Sequence, residues 1–81
     1  MMIKFTDGRV IRVMEEKLCG TAGDGEIIID NRERGKSKMD TIIHETLHEV
    51  FEDMEEDDVS DAANNITEVL WAFGYRLRRG R

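Results

Sequence analysis

The pattern of apolar and polar positions divides the chain into an extended half followed by a helical half. Residues 3–5 (Ile-Lys-Phe) and 10–13 (Val-Ile-Arg-Val) are β-rich runs on either side of Thr6-Asp7-Gly8-Arg9. An Asp-Gly pair between two such runs predicts a hairpin. Residues 19–25, Cys-Gly-Thr-Ala-Gly-Asp-Gly, carry three glycines and predict a turn, after which Glu26 to Asp30 predicts a short buried strand, the third of the domain. No Lys-Ser or Lys-Thr pair directly follows these glycines and no helix is expected to open there, so their spacing does not match a phosphate-binding loop.

The period then changes. Residues 31–36 are polar, and Ser37 followed three residues later by Asp40 has the form of a capping box, so a helix is expected from about Lys38. From there Met39, Ile42, Ile43, Leu47, Val50, Phe51 and Met54 recur at a spacing of three and four, which predicts one inward-packed face ending in an acidic turn after Met54. Asp57 or Asp58 is placed to cap a second helix. Its stripe is Val59, Ala62, Ala63, Ile66, Val69, Leu70 and Phe73, and Gly74 stands where a helix C-terminal glycine is expected. The connection is only a few residues long, so the second helix should return antiparallel to the first. The expected fold class is α+β, with a small antiparallel sheet of about three strands followed by two helices, in one domain spanning residues 1–81.

Composition narrows the function classes. The chain has 81 residues, 40% hydrophobic and 37% charged, with no proline. It suits a folded domain with a single small core rather than a disordered segment. No uncharged apolar run, residues 27–29 and 69–73 included, approaches the roughly 18 residues of a membrane span, and the opening MMIKF lacks the apolar region of a signal peptide. A soluble cytoplasmic protein without a membrane partner is expected. The single cysteine, Cys19, reads as a small packing residue and fits a reducing compartment.

Net charge is −6, distributed unevenly. Glu49, Glu52, Asp53, Glu55, Glu56, Asp57, Asp58 and Asp61 crowd one stretch that contains no Lys or Arg, while Arg76, Arg78, Arg79 and Arg81 close the chain. The acidic stretch attracts cations and repels phosphates. The basic end reads as a solvated terminus, and nucleic acid is not expected as a partner. Trp71 and Phe73 read as residues that close the core.

The chemistry is concentrated in His44-Glu45-Thr46-Leu47-His48, an H-E-x-x-H motif that uses both histidines of the chain. Residues four apart on a helix share a face, so two imidazoles can converge on one metal ion. Glu45 is rotated about 100° from His44. Its carboxylate would then stand beside the metal and could take a proton from bound water. Zinc as cofactor, Glu45 as general base and a peptide or protein as substrate are the expectations.

Residues 25–30 (GEIIID), the polar loop, residues 40–51 (DTIIHETLHEVF), the acidic turn and residues 62–76 (AANNITEVLWAFGYR) resemble the small phage-encoded H-E-x-x-H proteins of the zincin-like metallopeptidase superfamily. Those are related in plan to ImmA/IrrE-type peptidases and to minigluzincins. The resemblance spans residues 25–76, and only the H-E-x-x-H core is specific. It implies that His44 and His48 are zinc ligands and Glu45 the base, in the cytoplasm of a bacterial host. It further implies that a strand edge, here Glu26 to Asp30, binds extended peptide, and that the second helix supplies the third ligand. Phe51 and Met54 stand where a metzincin needs glycine and histidine, which excludes that subclass. If the first helix continues roughly 9 Å beyond His48, the returning helix meets the histidines some four to ten residues after its start. Asp61 is the first choice for the third ligand, with Glu68 and Asp58 as alternatives, and a clear Glu-x-x-Ala-Asn pattern is lacking. A competing reading from another class is a non-enzymatic acidic phage accessory protein that occupies a basic partner surface, with zinc structural or absent.

Overall fold

The computed structural model describes residues 1–17 and 21–77. Four strands, β1 (Met2–Lys4), β2 (Val10–Glu16), β3 (Thr21–Gly23) and β4 (Glu26–Asp30), precede two helices, α1 (Gly35–Val50) and α2 (Glu56–Ala72). The fold class is α+β, as the pattern of periods predicts. Cys19, and with it the expectation of a packed thiol, lies outside the described residues, as do Arg78, Arg79 and Arg81.

The first hairpin forms where the Asp-Gly pair predicts it. Gly8 adopts φ +95°, a conformation that disfavours other side chains, and the turn closes through Gly8 N–H to Phe5 O (3.0 Å) and Phe5 N–H to Arg9 O (2.8 Å). Asp7 accepts from the Arg9 backbone N–H at 3.0 Å and from Arg9 Nε at 2.8 Å, which fixes the turn from its side chain. A second Asp-Gly pair does the same at Asp24 (φ 55°) and Gly25 (φ 77°), two left-handed residues joining β3 to β4. The glycine-rich segment therefore contains a short strand as well as a turn.

Strand order is β1-β2-β4-β3. β1 pairs antiparallel with β2, and β3 antiparallel with β4, but β2 and β4 run parallel, with Val13 beside Ile27 and Glu15 beside Ile29. This departs from the expected all-antiparallel sheet. The chain passes from β2 to the far edge as β3, then turns back into the gap as β4. Residues 26–28 of β4 are consequently interior, paired on both sides, while Ile29 and Asp30 pair with β2 alone, so β4 is not a free edge along its length of the kind that an extended peptide would need. β1 and β3 are the edges.

One face of the sheet buries Ile11, Ile27 and Ile29, against which Phe5, Val13 and Ile42 of α1 pack. α1 lies on β3 and β4, while α2 packs on α1 and approaches no strand among the described residues. Val59, Ala63 and Thr67, four residues apart, are the buried positions of α2. A stripe wider than this was expected to be inward. Ile66, Val69 and Phe73 are instead exposed, as are Val50 and Phe51 of the first helix and its exit. With only one helix to lean on, α2 can bury a single narrow line of side chains. Phe73 does not close the core, and Trp71, half-buried, lies beside Gly35, whose φ of +61° opens α1, and is not part of the isoleucine cluster.

The helix ends also shift. α1 begins three residues before Lys38, with Arg34 as its extended N-cap, and Ser37 sits inside the first turn, its hydroxyl donating to Glu33 (3.2 Å) rather than capping. α1 stops at Val50 instead of running to Met54, and α2 starts at Glu56 without a side-chain cap from Asp57 or Asp58. The C-terminus of α2 follows expectation, with Gly74 at φ +91°. Its N–H donates to Trp71 O (3.0 Å), and Tyr75 N–H reaches Leu70 O (3.1 Å).

Candidate metal centre

His44 and His48 fall on one side of α1 because four residues are about 1.1 helical turns. Their ring centroids are 4.8 Å apart in an edge-on arrangement, and the two Nε2 atoms approach to 3.2 Å. The third group is Glu56, the first residue of α2. Its Oε2 lies 3.0 Å from His44 Nε2 and its Oε1 lies 2.8 Å from His48 Nε2. His44, His48 and Glu56 thus form a group that could hold a metal ion.

The donor set fits such an ion. Bonds of 2.0–2.1 Å in a tetrahedral arrangement separate ligand atoms by about 3.3 Å, close to the 3.2 Å between the two Nε2 atoms, and the Glu56 carboxylate comes within 3.0 Å of each nitrogen through a different oxygen. Two imidazoles and a carboxylate are three protein donors, the number used by catalytic zinc sites that leave one position to water or substrate. The same distances also allow each Nε2–H to donate to one Glu56 oxygen when no ion is present. Both arrangements require the same three side chains.

Asp61, the expected third ligand, is exposed on α2 and does not belong to this group. Neither do the alternatives. Glu68 pairs with Lys36 at 2.7 Å, and Asp58 is exposed. The physical reason is where α1 ends. Arg9, brought in by the first hairpin, donates from Nη1 to the Glu49 carbonyl at 3.3 Å, the acceptor that continuation of the helix would have given to the Asp53 N–H. Arg9 also lies 3.5 Å from the Glu49 carboxylate, which is only 4% exposed, and 3.7 Å from that of Glu52. The first helix therefore extends two residues past His48 rather than six. The first residue of α2, not its second turn, then faces the histidines. One signal for this was present in the sequence: Glu52 and Asp53 would have stood at the negative end of the helix dipole, which disfavours extending α1 through them.

Glu45 stands one residue round from His44, half-buried, and opens on a cleft of about 340 Å³. Asp40, Thr41, His44 and Glu45 of α1 line one wall, Ser60 and Asn64 of α2 the other, and Glu33 closes the end. Glu33 is held there by Ser37 and by the Thr41 hydroxyl at 2.7 Å. Burial raises the Glu45 carboxyl above its ordinary value of 4.5, positive charge on His44 and His48 opposes the rise, and the Glu56 carboxylate adds to it. Tyr75 is exposed at the opposite end of α2, roughly 25 Å along the helix from Glu56, and has no access to this cleft.

No family model, curated protein or solved structure matches this chain. The resemblance to zincin-like peptidases accordingly stands on the sequence His44-Glu45-Thr46-Leu47-His48 alone. Among the described residues, no helix is long and apolar enough to cross a membrane.

Proposed function

We propose that this protein is a zinc-dependent peptidase of minimal size, with zinc held by His44, His48 and Glu56 and with Glu45 as general base. The observation that carries the reading is the convergence of two Nε2 atoms and one carboxylate within 3.2 Å of one another, beside a carboxyl that opens on a cleft. Bound zinc would supply Lewis acidity and bring the pKa of its water towards 7. The histidines contribute neutral donors, and Glu56 contributes negative charge that offsets part of the ion's own. Glu45 accepts a proton from the attacking water and delivers it to the leaving amine as the peptide bond breaks. Ser60 and Asn64, on the facing wall, present hydroxyl and amide groups able to bond a peptide backbone. Glu26–Asp30 is given no part in substrate binding, because β2 pairs with all of it on one side and β3 covers residues 26–28 on the other.

Metal analysis of purified protein tests the reading directly. One equivalent of zinc, lost in His44→Ala and retained in Glu45→Gln, together with cleavage of a mixed peptide library by wild type alone, is the expected result. A wild type that takes up no zinc when it is offered overturns it.

A second reading, a non-enzymatic binding protein with zinc structural or absent, draws on a different observation. Glu52, Asp53, Glu55, Asp57, Asp58 and Asp61 are all exposed. This makes a negative rim around the turn between the helices, suited to a basic partner surface. That reading prevails if Glu45→Gln leaves every measurable activity intact while charge reversal at Asp53 and Asp57 abolishes it.

A further inference from the structure

The cleft between α1 and α2 has two unlike ends. His44 belongs both to its lining and to the group with His48 and Glu56, so one end is the candidate metal centre. The other end is acidic. Asp40 and Thr41 stand four and three residues before His44, roughly 6 and 4.5 Å back along α1, and Glu33 is tied to that level by the Thr41 hydroxyl at 2.7 Å. Glu33, Asp40 and Glu45 put three carboxylates into the lining, and no Lys or Arg joins them.

The basic side chains closest in the chain are engaged elsewhere. Arg34 donates to the carbonyls of Asn31 and Glu33, Lys36 pairs with Glu68 at 2.7 Å, and Lys38 pairs with Glu15 at 2.7 Å. Nor is the acidic end satisfied from within. The Ser37 and Thr41 hydroxyls both donate to Glu33 Oε1, which holds the carboxylate in place without neutralising it and leaves Oε2 with no hydrogen-bond partner among the described residues. The half-buried Asp40 carboxylate has neither a hydrogen bond nor an ion pair among them.

A cleft lined by charges of one sign focuses their field and concentrates ligands of the other sign. Distance fixes where on a peptide that positive charge must lie. Two extended residues span about 7 Å, and the four-carbon stem of a lysine reaches a similar distance. With the scissile carbonyl at the metal end, either brings a cation to the level of Asp40 and Glu33. An acidic group there would be repelled, and an apolar one would strip water from carboxylates without pairing them.

We propose that Glu33 and Asp40 select substrates with a positive charge within two residues of the scissile bond, carried by a Lys or Arg side chain or by a free amino terminus. The inference rests on the peptidase reading and names its substrate class. Digestion of a mixed peptide library by zinc-loaded wild type should give cleavage sites enriched in such cations. Acetylating lysines and amino termini in separate arms identifies which is read, and the peptide losing its cation should fall by at least about tenfold in kcat/KM. In Glu33→Gln and Asp40→Asn, at the zinc content of wild type, the ratio between charged and acetylated peptide should shrink towards one, and Glu33→Lys should reverse it. Zinc binding and cleavage that do not distinguish charged from acetylated peptides overturn the selection and leave the peptidase reading standing. Should zinc-loaded wild type cleave nothing, the peptidase reading falls, and calorimetric titration with a lysine-bearing tetrapeptide and its fully acetylated form decides the selection by itself. Tighter binding of the charged form supports it, and equal or absent binding overturns it.

Discussion

Glu56 Oε1 lies 2.8 Å from His48 Nε2, so the first residue of α2 completes what one turn of α1 begins. Eight positions separate the two in the chain, yet neither can reach the other unless the helices fold back within the five residues 51–55. Glu56→Ala should therefore weaken zinc binding by at least about tenfold, the lower limit seen when even an outer partner of a metal site is removed. Asp61→Ala should leave it unchanged. Competition with a chromogenic chelator measures both, and equal losses in the two variants would point to general acidity rather than ligation.

Glu45→Gln keeps the shape of the cleft while removing the carboxylate proposed as proton acceptor. Zinc content should match wild type, and peptide hydrolysis should fall by about 10²- to 10⁴-fold. The sign of the pH dependence follows from the raised carboxyl: the base works deprotonated, so the rate should decline as pH falls through a value above 4.5. An acid limb unchanged by Glu45→Gln would assign the base elsewhere.

Asp30 sits at the end of β4 with both oxygens engaged by Arg32, at 2.9 Å from Nε and 2.7 Å from Nη2. Arg32 holds this carboxyl at about 2, below its ordinary 3.8. A depressed folded-state value means that the pair contributes stability above pH 3.8, which is lost as pH falls from there towards 2. Asp30→Asn should lower the urea midpoint at neutral pH and flatten its decline across that window. A midpoint curve parallel to wild type throughout would exclude the pair as a source of acid sensitivity.

Thr67 is 2% exposed on the line of α2 that faces α1, and its hydroxyl has no hydrogen-bond partner among the described residues. Burying an unpaired hydroxyl is unfavourable, and valine has nearly the same shape. Thr67→Val should raise stability by about 1 kcal/mol, read as a shift of the urea midpoint at constant slope. A loss of stability would mean that the hydroxyl has a partner after all.

The Asp-Gly turn at residues 7–8, the strand at Glu26–Asp30, the glycine after α2 and the shared face of His44 and His48 were all legible in the chain. Each is written within a few consecutive residues, where backbone sterics or helical period alone decide the outcome. The parallel pairing of β2 with β4 was not legible, because a run of three isoleucines is as suitable for an interior position as for an edge. Nor was the exposure of Phe73, since an apolar stripe does not state how much of itself one neighbouring helix can cover. The identity of the carboxylate beside the histidines was decided furthest away. Arg9, forty residues before Glu49, takes the carbonyl that would have carried α1 onward, and so sets which residue of α2 arrives opposite His48. Sequence determined the pair of imidazoles through a local period; tertiary structure determined their acidic partner, because a helix end fixed by a distant hydrogen bond leaves no mark in the period itself.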